Sequence, residues 1–132
     1  MRFSSDNHGL PHIHRVGNVG EAPFHVIAVG VKSAGGGDAE PVVGYMQRVE
    51  LVDEKPHALI YRTSLEPGEK SGEHQHNLPF TQVYVTGGTL IGEDGKPRDV
   101  EAGSFLWQAG DVYHRHENAG DEPIVIIEVV AR

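Results

Sequence analysis

The sequence predicts an all-β protein built as an antiparallel sandwich or barrel. About ten short segments rich in β-branched and aromatic residues follow one another closely, with turn residues between them. Seventeen glycines and eight prolines favour turns over helix, and no segment shows a convincing helical period. The 132 residues suit a single domain, and the pattern leaves jelly-roll, immunoglobulin-like and other β folds open.

The first part of the chain divides into an arm and three strands. Residues 1–21 have no sustained period, so we expect an N-terminal arm followed by one folded domain over residues 22–132. Within that domain, β-branched and half-alternating runs predict strands at residues 22–33, 41–52 and 57–65.

The second part of the chain reads as a series of short strands. Asp94 and Gly95 mark the centre of a hairpin turn, which pairs the segments on either side of it. The final segment, 124–131, is so apolar that we expect a central strand buried on both faces. The strands predicted here are 80–86, 89–91, 98–100, 104–108, 112–116 and 124–131.

Residues 67–88 hold the candidate functional site. His74 and His76 are two positions apart, and alternate residues of a strand point to the same face. Neutral imidazole is the commonest metal ligand among side chains, so two on one face make half of a transition-metal site. His114 lies in a matching context forty residues further along. The alternative is a surface loop with solvated histidines, which the flanking turn and strand disfavour.

Composition narrows the partners and the setting. The formal net charge is −8 and no cluster of Lys or Arg occurs, which argues against a nucleic-acid surface and against anionic membranes. No apolar run reaches membrane-spanning length, and the N-terminus has no signal-peptide pattern, so we expect a cytoplasmic protein. Because cysteine is absent, any metal must be held by histidine, carboxylate or amide groups.

From Leu65 onward the sequence resembles the cupin superfamily. The first cupin motif is a Gly, five residues, His-x-His, a spacer, Glu and a closing Gly. Here Gly68 precedes His74 and His76 by that spacing, and Gln82 stands at the glutamate position. The resemblance implies a double-stranded β-helix, which is a jelly-roll barrel, over residues 22–132.

The second cupin motif is matched less closely. Gly103 opens it, Gly110 closes a Gln-Ala-Gly in place of Pro-x-Gly, and His114 is followed by Asn118 at the family spacing. One extra residue between Gly110 and His114 leaves the register open, so His116 is a rival for the third ligand.

The resemblance implies one divalent transition-metal ion held by His74, His76 and His114. Gln82 would be a weak ligand or lie behind the ligands, because a neutral amide is a poor ligand for a hard cation. We therefore expect a three-histidine site without a carboxylate, with Fe(II) as the leading metal and Ni, Mn, Zn or Co as alternatives. Such a site resembles cupin dioxygenases or related lyases and isomerases acting on small polar or anionic molecules. The alternative is a non-catalytic cupin that binds a small ligand or senses a metal.

Other side chains are candidates for binding or catalysis. Phe80 and Tyr84 share the face of Gln82; Tyr84 is either a hydrogen-bond donor to an anion or core. Arg62 is either a partner for a substrate carboxylate or a surface ion pair. Trp107 is either core or substrate wall, and His116 is a candidate acid or base. Because small cupins usually pair, we also expect a homodimer that binds a small molecule.

Overall fold

The computed structural model describes residues 16–31, 42–44 and 46–132. Within those ranges every regular element is a β-strand, so the all-β prediction is confirmed. No helix in the described part could cross a membrane. The strands are β1 (Val42–Gly44), β2 (Val49–Lys55), β3 (Ala58–Leu65), β4 (His74–His76), β5 (Phe80–Tyr84), β6 (Gly88–Ile91), β7 (Pro97–Val100), β8 (Phe105–Gln108), β9 (Val112–His114), β10 (Glu117–Asn118) and β11 (Ile124–Ala131).

The described strands form three antiparallel sheets. The largest has the order β2-β3-β11-β5-β8, and two three-stranded sheets have the orders β1-β4-β9 and β10-β6-β7. The predicted central position of β11 is confirmed, because it pairs with β3 along its whole length and with β5 on its other side. Non-consecutive neighbours in every sheet show that the chain crosses repeatedly between them, as a jelly-roll barrel requires.

Strand alternation sorts the side chains of β11 between two apolar layers. Ile124, Ile126 and Val130 have no exposed surface and belong to clusters in the barrel interior. Ile127, on the opposite face, packs in a separate cluster with residues of β3 and β5. Glu128 shares the interior face with the first three residues and is equally buried.

Residues 22–31 do not form the strand predicted at 22–33, so that prediction is wrong over the part the structure describes. Ile27 packs against the outer apolar cluster of the five-stranded sheet, while Phe24 and Val26 stay exposed. The segment therefore contacts the sheet face through Ile27 instead of pairing along an edge. Residues 1–15 of the predicted arm, residues 32–41 and residue 45 lie outside the described ranges.

Two other predicted strands are interrupted. The segment 41–52 splits into β1 and β2, because Arg48 lies in a turn with φ of 65°, a backbone conformation that ends a strand. The segment 112–116 ends as a strand at His114, and pairing resumes with a different sheet at Glu117. The chain thus changes sheets between His114 and Glu117.

Candidate metal centre

Adjacent strands bring together the three histidines of the predicted metal site, His74, His76 and His114. β4 lies between β1 and β9, and its register places His74 directly opposite His114. The ring centroids of these two residues are 4.5 Å apart, and that of His76 lies 5.1 Å from each of them. His74 and His76 have no exposed surface and His114 is 4% exposed, so alternation has turned all three rings into the barrel.

A glycine permits the close approach of β1 to this strand. Gly44 pairs with His74 and has φ of 121°, a conformation that L side chains rarely adopt. A Cβ at Gly44 would lie 2.7 Å from the carbonyl oxygen of Glu73. A side chain there would therefore push β1 away from the histidine strand.

The fourth member of the cluster is Glu128, which the sequence analysis did not identify. Its Oε2 lies 3.0 Å from Nε2 of His76, and its Oε1 lies 3.4 Å from Nε2 of His114. Nε2 of His74 is 3.7 Å from Oε2. One ligand atom from each of the four residues lies within 4.8 Å of the others, which is a spacing that suits a single ion.

Glu128 corrects the expectation of a site without a carboxylate. In the β11–β5 pairing, Glu128 lies directly opposite Gln82, and both side chains face the interior. The carboxylate therefore comes from the strand next to the one that the motif indicated. The signal in the sequence was a single acidic residue within an otherwise apolar strand, because a buried charge requires a partner.

The donor set fits a transition metal. Nδ1 of His74 donates to the Gly72 carbonyl at 3.0 Å, which leaves the lone pair of Nε2 directed at the cluster. Nε2 of His74, Nε2 of His114 and Oε1 of Glu128 are buried and have no hydrogen-bond partner among the described residues. A cation would satisfy all three atoms. Three imidazole nitrogens and one carboxylate oxygen suit iron, nickel, manganese, zinc or cobalt.

The charge states of His114 and Glu128 also favour metal binding. Burial lowers the pKa of His114 to about 3 despite the opposing charge of Glu128, so this imidazole is neutral at neutral pH. Burial alone would raise the pKa of Glu128, but its polar contacts with His116, His74 and His76 hold that pKa well below the ordinary value. Burial lowers the pKa of His74 as well, yet the nearby Glu128 carboxylate and the bond to the Gly72 carbonyl outweigh this effect and raise the pKa above 6.5. The cluster therefore offers an ionised carboxylate, and His74 is the imidazole that retains a proton most readily.

A cavity of about 130 Å³ opens beside the cluster, and it carries several polar groups. Nε2 of Gln82 donates to the hydroxyl oxygen of Tyr84 at 2.9 Å, which leaves the Tyr84 proton available to a ligand. Burial raises the pKa of Tyr84, with the charge of Arg98 opposing, so the hydroxyl is protonated at neutral pH. The polar side chains that line the cavity are Gln82, Tyr84, Glu93, Arg98, Gln108, His114 and His116.

The structure places His116 and Phe80 next to the cluster. Nε2 of His116 is 3.8 Å from Oε1 of Glu128, and the His116 ring centroid is 4.9 Å from that of His114. Nε2 of His114 lies closer to the carboxylate, which favours His114 over its rival as a ligand. Phe80 is buried and packs its ring against His76 at 4.3 Å, so it supports the cluster from the core side.

Arg62 and Trp107 lie away from the cavity. Arg62 has the outward parity of β3, and its Nη2 pairs with Oε2 of Glu50 at 2.9 Å on the surface. Trp107 lies on the edge strand β8 with 61% of its surface exposed. The structure therefore contains the surface ion pair that was one of two alternatives for Arg62. Trp107 is exposed, so it is not a core residue, and it is not among the residues that line the cavity.

Comparisons with known proteins agree with this fold. The family model described as "Cupin domain" matches residues 61–130. The dimethylsulfoniopropionate lyase DddW of Ruegeria pomeroyi is 26% identical over 116 residues, covering 85% of this chain and 75% of the relative. A cupin domain from Bordetella pertussis superposes with a TM-score of 0.59 at 18% identity, over 68% of this chain and 97% of that one. An RmlC-like cupin from Methanocaldococcus jannaschii has a TM-score of 0.53 at 19% identity, over 78% and 93%.

Proposed function

Since this chain belongs to the cupin family, we propose that it binds one divalent transition-metal ion and acts as a lyase on a small carboxylate. The observation that carries the proposal is the buried group His74, His76, His114 and Glu128 beside a polar cavity. A buried ionisable cluster that borders a cavity is the arrangement expected of a functional site.

The proposed metal would be held by the three imidazoles and the carboxylate of Glu128. When bound, such an ion supplies a Lewis acid that polarises a ligand oxygen and increases the acidity of the adjacent carbon. Iron is our first candidate, with nickel, manganese, zinc and cobalt as alternatives that imidazole also suits.

Glu128 shifts the preferred reaction class from oxygenation towards elimination. The dioxygenase expectation depended on a site of three neutral imidazoles, and the buried carboxylate removes that argument. The similarity to a lyase over most of both chains supports a lyase, which the sequence analysis gave beside the dioxygenase.

His116 is the proposed general base, and Tyr84 is the proposed hydrogen-bond donor to the ligand. An unpartnered Nε2 equips His116 to take the proton from the carbon next to the ligand's carboxylate. As that C–H bond breaks, a carbon–carbon double bond forms and the leaving group on the next carbon departs with its bonding electron pair. The hydroxyl group of Tyr84 donates a hydrogen bond to the anionic ligand, and the bond from Gln82 holds the phenol in place.

Metal analysis tests the first half of the proposal. Protein purified without chelators should contain about one equivalent of transition metal, and His74→Ala should contain little. His57→Ala is the matched control, because His57 lies exposed in the turn between β2 and β3. Wild-type protein that binds no transition metal, even when metal is supplied in excess, would overturn the proposal.

Product analysis tests the second half. Metal-replete protein should release dimethyl sulfide and acrylate from dimethylsulfoniopropionate, or the corresponding alkene acid from another β-substituted propionate. His116→Gln should reduce this rate at least about a hundredfold, the usual effect of removing a general base. Oxygen consumption without alkene formation, measured with an oxygen electrode, would replace the lyase with an oxygenase.

A further inference from the structure

Arg98 is the only arginine or lysine among the described residues that line the cavity. It lies on β7, opposite Leu90 of β6, and no ion pair involving it is found within the described ranges. An unpaired guanidinium at the rim of a cavity can donate hydrogen bonds to both oxygens of a carboxylate at once. The geometry therefore leaves one fixed positive charge free for a ligand.

Gly92 provides the space in which the guanidinium lies. A Cβ built on Gly92 would be 2.5 Å from Nη2 of Arg98, so the side chain rests directly on this backbone. The backbone of Gly92 is not left-handed, and Nη2 is the far end of a flexible side chain. A methyl group here would therefore displace the guanidinium without straining the chain.

The rim also carries one negative charge. Glu93 follows Gly92 and lines the same cavity, with an exposed side chain. A second carboxylate on a ligand would meet this like charge, which disfavours dianions over monoanions.

We propose that Arg98 binds the carboxylate of the ligand and that Glu93 restricts the cavity to monocarboxylates. This inference rests on the proposed function only in using the same cavity and the same ligand class. Arg98 thus takes the role of carboxylate partner that the sequence suggested for Arg62, whose guanidinium is already paired with Glu50 on the outer surface. Arg98 and Tyr84 line the same cavity. The Arg98 charge lowers the pKa of Tyr84, against the larger effect of burial, so the guanidinium and the phenol are close enough to interact with one ligand.

Binding of three unreactive probes tests the inference without requiring turnover. Propionate, propionamide and succinate are titrated calorimetrically into metal-analysed protein. Wild type should bind propionate at least about tenfold more tightly than either other probe. Arg98→Gln should weaken propionate binding about tenfold and leave propionamide unchanged, whereas Arg98→Lys should recover part of the loss.

Two further variants separate the rim charges from the fold. Gly92→Ala should weaken propionate binding while its unfolding midpoint matches wild type. Glu93→Gln should narrow the preference for propionate over succinate. Arg62→Gln and Glu50→Gln remove an exposed pair on the outer surface and should leave all three affinities unchanged.

Equal affinity of wild type and Arg98→Gln for propionate would overturn the inference, and so would a wild type that does not distinguish propionate from propionamide. Loss of propionate binding in Arg98→Gln supports it even if no alkene product forms with any substrate. That last combination would remove the proposed lyase activity and leave the carboxylate site in place.

Discussion

Glu128→Gln isolates the contribution of the buried carboxylate to the metal centre. The change keeps the size and shape of the side chain, so the interior packing around β11 is retained. It removes one negative charge whose oxygens lie 3.0 Å from His76 and 3.4 Å from His114. Glu128 has no exposed surface, so bulk water cannot take the place of the lost carboxylate oxygen.

The expected loss of metal affinity is large, and the expected loss of folding stability is moderate. Partners that only orient metal ligands are worth tenfold to a hundredfold in affinity, so losing an anionic ligand should cost at least about a hundredfold, or about 3 kcal/mol. In metal-free protein the amide oxygen can still accept from His76, and the weaker bond should reduce the free energy of unfolding by about 1–2 kcal/mol.

The stability loss should depend on pH in a defined direction. The pKa of Glu128 is depressed in the folded state, so its contribution is complete above the unfolded value near 4.5 and is lost as pH falls through the folded value. Urea denaturation with a chelator present should therefore show a larger gap between wild type and Glu128→Gln at pH 7 than at the lowest pH where both fold. Glu50→Gln, on the surface, is the control. Unchanged metal affinity in Glu128→Gln would refute the assignment of the carboxylate.

Three other outcomes are expected. Metal affinity should fall as pH decreases through the raised pKa of His74, by about tenfold per pH unit for each proton displaced, and a pH-independent competition titration would contradict this. Ile126→Ala should lower the free energy of unfolding by about 2–5 kcal/mol because Ile126 is fully buried, whereas Val19→Ala should leave the urea midpoint unchanged. The predicted homodimer should appear in sedimentation and weaken in Phe105→Asp, since β8 exposes Phe105 and Trp107 at a sheet edge; a monomer at all concentrations would exclude it.

Local patterns were sufficient to predict most of the strands. The turns at Gly68 and Asp94–Gly95 and the apolar run of β11 are each recognisable within a few residues. The strands next to these turns and β11 itself are confirmed. The period of two also predicted that His74 and His76 share a face. The strand predicted at residues 22–33 does not form over residues 22–31, because β-branched composition alone does not supply a strand to pair with. Ile27 is the residue of this segment that packs against the outer face of the sheet.

The positions of the charged residues depend on strand pairing, which local sequence patterns do not reveal. Arg62 and Arg98 both lie on strands near the motif, and only strand register decides that one faces the surface and the other the cavity. Glu128 reaches the histidines because β11 lies beside β5, a contact between segments more than forty residues apart. Such long-range pairing depends on how the sheets assemble, which patterns within a few residues do not reveal.

Gln82 lies directly opposite Glu128 in the β11–β5 pairing, so we expect that a carboxylate at either position could serve the metal site. Side chains directly opposite in an antiparallel pair have Cβ atoms about 5 Å apart, which a flexible ligand side chain can span. Gln82→Glu combined with Glu128→Gln should therefore recover at least about tenfold of the metal affinity lost in Glu128→Gln alone, with the hydroxyl of Tyr84 donating to the new carboxylate. Recovery, measured by competition with a calibrated chelator, would show that the barrel needs one inward carboxylate beside the three histidines, on either strand. A double variant as weak as the single one would show that only β11 places a carboxylate within reach.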